Sequence, residues 1–182
     1  MPITAEHIRA TVDAYLERRP GDRGRLGRLL AALEDGADLT DRSVMRGHVT
    51  AAVFLVREDG KVLHIAHNAT GKWLVPGGHL ETVDDTLAGA ALRELTEETG
   101  IPADQVTLGE LVDIDVHPIA ANPAKDEGDH FHFDVRYAAA LSGRSEIRLQ
   151  LEEVAGFAWN HLDPEQYRAA AERITSGVPA GN

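Results

Sequence analysis

Three carboxylates stand close together in Arg93-Glu94-Leu95-Thr96-Glu97-Glu98. On a helix, residues three and four apart are neighbours, so Glu94 lies beside both Glu97 and Glu98. Like charges at that spacing repel, and stability alone would favour spacing them out or interleaving lysines. The pattern therefore calls for a cation. Carboxylate oxygens suit hard divalent ions: Mg2+ bridges a few carboxylates to substrate phosphates, and Mn2+ accepts the same donors. A second set of chemical side chains sits further on, in Asp113, Asp115 and His117 and again in His130, His132 and Asp134.

The element that positions the glutamates reads as a helix. Asp84 or Asp85 is placed to cap its start, and Leu87, Ala88, Ala91, Leu92 and Leu95 form an apolar stripe. Gly100 stands where a left-handed C-terminal residue belongs, Ile101 can fold back onto Leu95, and Pro102 stops the helix. The distance of the carboxylates from the helix end is thereby set.

These residues resemble the Nudix box, G-x5-E-x7-R-E-U-x-E-E-x-G-U with U aliphatic. The second half matches at each defined position, Arg93-Glu94-Leu95-Thr96-Glu97-Glu98-Thr99-Gly100-Ile101. The first half departs. Asp85 occupies the first acidic position, and six residues rather than five separate it from Gly78. The resemblance implies a Nudix-like α/β/α sandwich with a mixed sheet and a metal-dependent hydrolase that cleaves a diphosphate linkage in a nucleoside-diphosphate-type substrate. It implies Mg2+ or Mn2+ held by Glu94, Glu97, Glu98 and the carbonyl of Gly78, with Arg93 buttressing the carboxylates. The family commonly draws a further acid from outside the box as base or ligand. Glu152 and Glu153 are the candidates here, with Glu127 behind them. Two other readings belong beside this one. An enzyme resembling isopentenyl-diphosphate isomerase shares the fold and uses histidine ligands, as Gly78-His79 and the histidine count suggest, but it also needs a catalytic cysteine. A non-catalytic ligand-binding Nudix module is the other.

Composition narrows the partners. The chain has 182 residues, 43% of them hydrophobic, with 30 acidic against 18 basic residues and a net charge of −12. One domain plus an extension is expected, with residues 1–46 as a helical extension and 47–182 as the main domain. So acidic a chain is a poor partner for a nucleic-acid polymer, and it repels a phosphorylated small molecule unless metal ions or basic residues reverse the local field. It has no cysteine and no membrane-spanning apolar run, which fits the cytoplasm. Nine histidines are an unusually high count.

In chain order, residues 4–18 and 22–34 read as a helical hairpin, the second helix capped by Asp22 and stopped at Gly36. The hairpin is expected to cap the domain or form a homodimer contact, with a lid over the active site as the sharper alternative. Strands are expected at 48–57, 62–67, 73–75, 106–117, 131–141 and 154–159, with Trp73 as a packing residue. A C-terminal helix is expected over 163–174, followed by fraying over 176–182. Strands alternate faces with period two, so Asp113, Asp115 and His117 share one face, and His130, His132 and Asp134 share one face of a later strand. If the two strands pair, these faces coincide. A solvated face and a His-x-His metal site for zinc or manganese are alternatives. Substrate recognition bordering the active site, by His79, His117, His130 and His132 acting as charged imidazoles, is the reading adopted.

Overall fold

The computed structural model describes residues 2–123, 127–143 and 145–179. Branched and aromatic residues crowd the segment β1, His48–Val56, where only Val56 escapes full burial. A strand covered on both faces belongs in the middle of a sheet, and β1 is there. The other strands are β2 (Val62–His67), β3 (Lys72–Leu74), β4 (Gly77–His79), β5 (Val106–Ile119), β6 (His130–Leu141) and β7 (Val154–Asn160). Their order is β3-β2-β1-β6-β5, while β4 pairs with β1 and β7 with β2. β1 and β2 form an antiparallel hairpin closed by Val56 opposite Val62, with the Arg57 amide donating to the Lys61 carbonyl at 2.9 Å. All six expected strands are found within two residues at each end, the one expected at 73–75 appearing one residue early. β4, absent from the expected strands, forms because the narrow Gly77-Gly78 backbone lets it pair with β1.

The chain divides into two compact units. One comprises Met1–Thr50, His79–Ala90 and Ile114–Val135, the other Ala51–Gly78, Ala91–Asp113 and Arg136–Asn182.

In the first unit, helix α1 (Ala5–Arg18) starts at Thr4, whose hydroxyl accepts from the His7 amide at 3.1 Å. Ile8, Val12, Tyr15 and Leu16 are buried, as the helical period requires. The second helix differs from expectation. Pro20–Gly24 form a 3-10 turn, and α2 begins only at Gly27, running to Glu34. Asp22 does not cap it. Its carboxylate accepts from the Tyr15 hydroxyl and, at 2.8 Å, from Arg25, so the connection bends around that pair. Arg25 also donates to the Ile114 carbonyl, and the Ile3 amide to the Asp84 carbonyl at 3.1 Å.

The second unit closes around Ala52, Phe54, Val62, Val75, Val112, Ala138, Tyr167, Ala170 and Ile174. Tyr167 lies edge-on to Phe54 with ring centroids 5.4 Å apart, and its hydroxyl accepts from the Val75 amide at 3.3 Å. This anchoring replaces the single C-terminal helix expected over 163–174. Drawn into the core, Tyr167 takes a non-helical backbone (φ −127°, ψ 44°), and only two short helices follow, α4 (Arg168–Ala171) and α5 (Ile174–Gly177). The tail expected to fray, 176–182, lies partly outside the described residues, as does the middle of the 118–129 loop. Trp73 is not a packing residue. It sits on the three-residue strand β3 and is 48% exposed. Among the described residues no helix is long and apolar enough to cross a membrane.

Candidate functional site

The glutamates ride on helix α3, Leu87–Thr99. Its cap is Thr86, whose hydroxyl accepts from the Gly89 amide at 2.9 Å, rather than Asp84 or Asp85. Asp84 is buried and instead closes a turn, its carboxylate accepting from the Glu81 amide at 2.7 Å. The buried stripe is Leu87, Ala90, Ala91 and Leu95, while Ala88 and Leu92 are half-buried. At the far end Gly100 has φ +68° and donates to the Thr96 carbonyl at 2.8 Å, the left-handed stop that the Gly-Ile-Pro signal implies. The last helical carbonyls, which lack partners within a helix, are met by the following loop: Arg148 N–H donates to Thr99 at 2.7 Å and Gln150 N–H to Glu98 at 3.2 Å.

This framework sets three unequal carboxylates. Glu98 is 1% exposed and accepts from the Gly77 amide at 3.0 Å. Glu94 lies against Gly78 so closely that a Cβ there would meet its carboxyl atoms at 2.6 Å. Glu97 is half-exposed. Arg93 spans two of them, its guanidinium donating to Glu94 at 3.0 Å and to Glu97 at 2.8 Å. Burial pushes the Glu94 carboxyl up to about 7; the guanidinium of Arg93 opposes this, and Glu97 and Glu153 add to it. Burial pushes Glu98 up to about 8; the Gly77 amide opposes, while Glu94, Glu153 and Glu97 add.

Glu153 acts on both because its turn is pinned. The Asn68 side chain donates to the carbonyls of Leu151 and Glu152 at 3.1 Å each, and the Asn68 amide to that of Glu153 at 2.8 Å. Glu152 and Glu153 are both exposed on this turn. Glu127 belongs to the other unit and pairs with Arg42 at 2.9 Å.

The donor set fits a hard divalent cation. Arg93 is shared between Glu94 and Glu97, while buried Glu98 rests on the Gly77 amide, so the ionised carboxylates are under-neutralised, and all the donors are oxygens. Glu94, Glu97 and Glu98, with the backbone at Gly78, are the residues that would hold such an ion.

The first unit gathers the histidines. His79 on β4, His48 on β1 and His130 and His132 on β6 lie together because β4 and β6 both pair with β1; His117 comes from β5, beside β6. Ring centroids are 4.8 Å apart for His48 and His132, 4.9 Å for His48 and His130, 5.0 Å for His48 and His79, and 5.7 Å for His117 and His132. His48 is not among the histidines expected there; its place at the start of a largely apolar strand is its signal in the sequence. The aspartates expected in the patch are engaged elsewhere or at its edge. Asp113 is buried against Arg136 at 3.2 Å, Asp134 accepts from the Thr50 hydroxyl at 2.9 Å, and Asp115 meets His117 Nδ1 at 3.0 Å. The imidazoles expected to be charged are not all so. Burial, then the field of Arg42 and the neighbouring rings, lowers His79 to about 4. Burial, then His79 and His48, lowers His132 to about 2. His48 is lowered too, first by burial and then by His130.

Comparison with known proteins places these features in a wider set. Residues 46–176 match the family model described as NUDIX domain. A protein named "Probable DHNTP pyrophosphohydrolase" from Lactococcus lactis subsp. cremoris is 37% identical over 93 residues, 51% of this chain and 54% of that protein. Phosphatase NudJ of Escherichia coli K12 is 48% identical over 62 residues, 33% of this chain and 39% of that protein. The chain thus spans about half the length, or less, of these relatives. Among solved structures, the E. coli dihydroneopterin triphosphate pyrophosphohydrolase covers 71% of this chain and 96% of its own at TM-score 0.55 and 19% identity. A C. elegans Ap4A hydrolase binary complex covers 70% and 90% at TM-score 0.52 and 22% identity. These likenesses bear out the α/β/α fold with a mixed sheet.

Proposed function

The chain belongs to the NUDIX domain family, and from that premise we propose that it is a metal-dependent pyrophosphohydrolase cleaving a diphosphate linkage in a small nucleoside-diphosphate-type molecule. The observation that carries this reading is the pair Glu94, half-buried, and Glu98, buried, raised to about 7 and about 8 and facing the Gly77-Gly78 backbone. A site that stores unneutralised carboxylates is built to accept positive charge. Bound there, Mg2+ or Mn2+ would neutralise diphosphate charge and lower the pKa of a water. The chain's own residues do the rest. Arg93 holds Glu94 and Glu97 in place. The Gly77 amide orients Glu98. Glu153, on its pinned turn, is the preferred acid from outside the box, with Glu152 beside it. Phosphoryl transfer depends on positioning and charge neutralisation, which this arrangement supplies, more than on covalent chemistry.

The names of the relatives support a phosphate-anhydride substrate; a cysteine-free acidic chain acting on such a substrate suits the cytoplasm. Residues 1–46 are read as an extension to the catalytic domain. The test is a screen of nucleotide, dinucleotide, sugar-nucleotide and isoprenoid diphosphates with Mg2+ or Mn2+, read as released phosphate or pyrophosphate. Turnover of at least one, abolished by chelation and by Glu98→Gln, is expected. Isoprenoid isomerisation without phosphate release, or binding without turnover of any of them, overturns the reading.

A further inference from the structure

His48 is 2% exposed, and neither of its ring nitrogens has a hydrogen-bond partner. The Val44 carbonyl approaches the ring without completing a bond. Leaving buried polar nitrogens without a hydrogen bond is unfavourable. A fold that retains such a residue beside other imidazoles has a reason to do so.

The neighbours supply that reason. One nitrogen from each of His48, His130 and His132 lies within 4.8 Å of the others. His130 Nε2 and His132 Nε2 are 3.3 Å apart. Two nitrogens bound tetrahedrally to one zinc at about 2.0–2.1 Å are separated by roughly 3.3 Å, so this spacing suits a shared ion. The outer partners are also those of a metal centre. His130 Nδ1 meets the Gly128 carbonyl at 2.8 Å, which fixes the proton on Nδ1 and leaves the Nε2 lone pair turned toward His132. Beside the three, His117, whose ring centroid lies 5.7 Å from that of His132, has its Nδ1 3.0 Å from Asp115.

We propose that His48, His130 and His132 form a binding site for one borderline divalent transition-metal ion, Zn2+ foremost, with His79 and His117 beside it. Nitrogen donors set it apart from the oxygen site on α3, because imidazole selects zinc and its neighbours in the transition series whereas carboxylates select Mg2+. The burial of His48 and His130, 2% and 5% exposed, also favours an enclosed ion over the direct substrate contact expected from the sequence. This site does not depend on the hydrolase reading.

The test uses the untagged full chain. After equilibration with Zn2+ and gel filtration in metal-free buffer, elemental analysis should find one zinc per chain. Replacement by Co2+ should give the intense visible bands of a tetrahedral nitrogen site, and Zn2+ should raise the thermal midpoint of the stripped protein. His132→Ala and His130→Ala, checked by circular dichroism for retained fold, should lower zinc affinity by more than about 100-fold, beyond the loss typical of outer-shell changes. Glu98→Gln should keep the zinc. Absence of stoichiometric zinc and of the Co2+ spectrum in the unaltered chain overturns the proposal without reference to any variant. Zinc lost by Glu98→Gln but kept by His132→Ala assigns the ion to α3 and overturns it equally.

Discussion

At the scale of single residues, three glutamates of the same type are made unequal by their surroundings. Glu98 is buried under the Gly77 amide, Glu94 rests on Gly78, and Glu97 reaches solvent. Glu98→Gln keeps the shape and removes the charge, so turnover should fall by at least ~100-fold, the scale of losing one well-placed electrostatic group. Metal-free Glu98→Gln should fold and melt higher than the parent, because the most deeply buried of the carboxylates then no longer has to ionise. Steady-state kinetics with Mg2+ and with Mn2+ check the first claim and a melting curve the second; near-full activity under both ions would remove Glu98 from the site. Gly78→Ala probes the contact from the other side. Its Cβ meets only the flexible end of Glu94, so the fold should survive while Mg2+ affinity, read by titration calorimetry, drops about tenfold or more.

The elements hold these residues through backbone contacts that substitutions can strain. Gly77 contrasts with its neighbour: a Cβ there would lie 2.7 Å from the Ala51 carbonyl oxygen and 2.8 Å from Ala52 Cα, and backbone cannot swing away. Gly77→Ala should therefore cost about 2–3 kcal/mol of stability, as overpacking does, measurable by denaturant unfolding. The loop before α3 carries one residue more than the common box and uses it. Glu81 and Asp84 close a turn in both directions, Asp84 N–H donating to Glu81 at 3.0 Å and Glu81 N–H to the Asp84 carboxylate at 2.7 Å. Val83 within that turn is 71% exposed. Deleting Val83 should cost about 1–3 kcal/mol by leaving the buried Asp84 unmet, whereas Val83→Ser should be nearly neutral. A deletion as stable as the parent would show that the longer loop is not a structural adaptation.

For the whole molecule, the two clusters titrate in opposite senses. Glu98 at about 8 and Glu94 at about 7 lie above their unfolded value of 4.5. Between those limits the folded chain holds protons that the unfolded chain has released, so metal-free stability falls as pH rises, until the folded carboxyls ionise. His132 at about 2 and His79 at about 4 lie below 6.5. The unfolded chain takes up protons there that the folded chain refuses, so stability also falls as pH drops below 6.5. Each proton contributes a slope of up to about 1.4 kcal/mol per pH unit. Between about pH 4.5 and 6.5 the two effects oppose each other with two protons each, so metal-free stability should be roughly level there, falling above 6.5 and below 4.5. Glu98→Gln, or saturating Mg2+, should flatten the alkaline arm of a melting-temperature profile and make stability rise with pH between about 4.5 and 6.5, and a profile unchanged by either would refute the assignment.

What was legible in the residues is what local physics decides. The period of 3.6 and the Gly100-Ile101-Pro102 stop define the end of α3, and so the glutamates' distance from it. A continuous apolar, β-branched run and the turn residues Glu58-Asp59-Gly60 define β1 and β2 almost to the residue. The cap of α3 escaped because Thr86, Asp84 and Asp85 all carry a suitable oxygen, and only the fold assigns Asp84 to the turn. Period two places Asp113 with Asp115 and His117, yet says nothing of a cation opposite; Arg136, 23 positions on, takes Asp113 into the core. The histidine cluster is the clearest case. His79, His117, His130 and His132 were visible as chemistry, but His48 joins them only because β1 lies between β4 and β6. Strand order is set by pairing between distant segments, and no local pattern encodes which strand will be the neighbour.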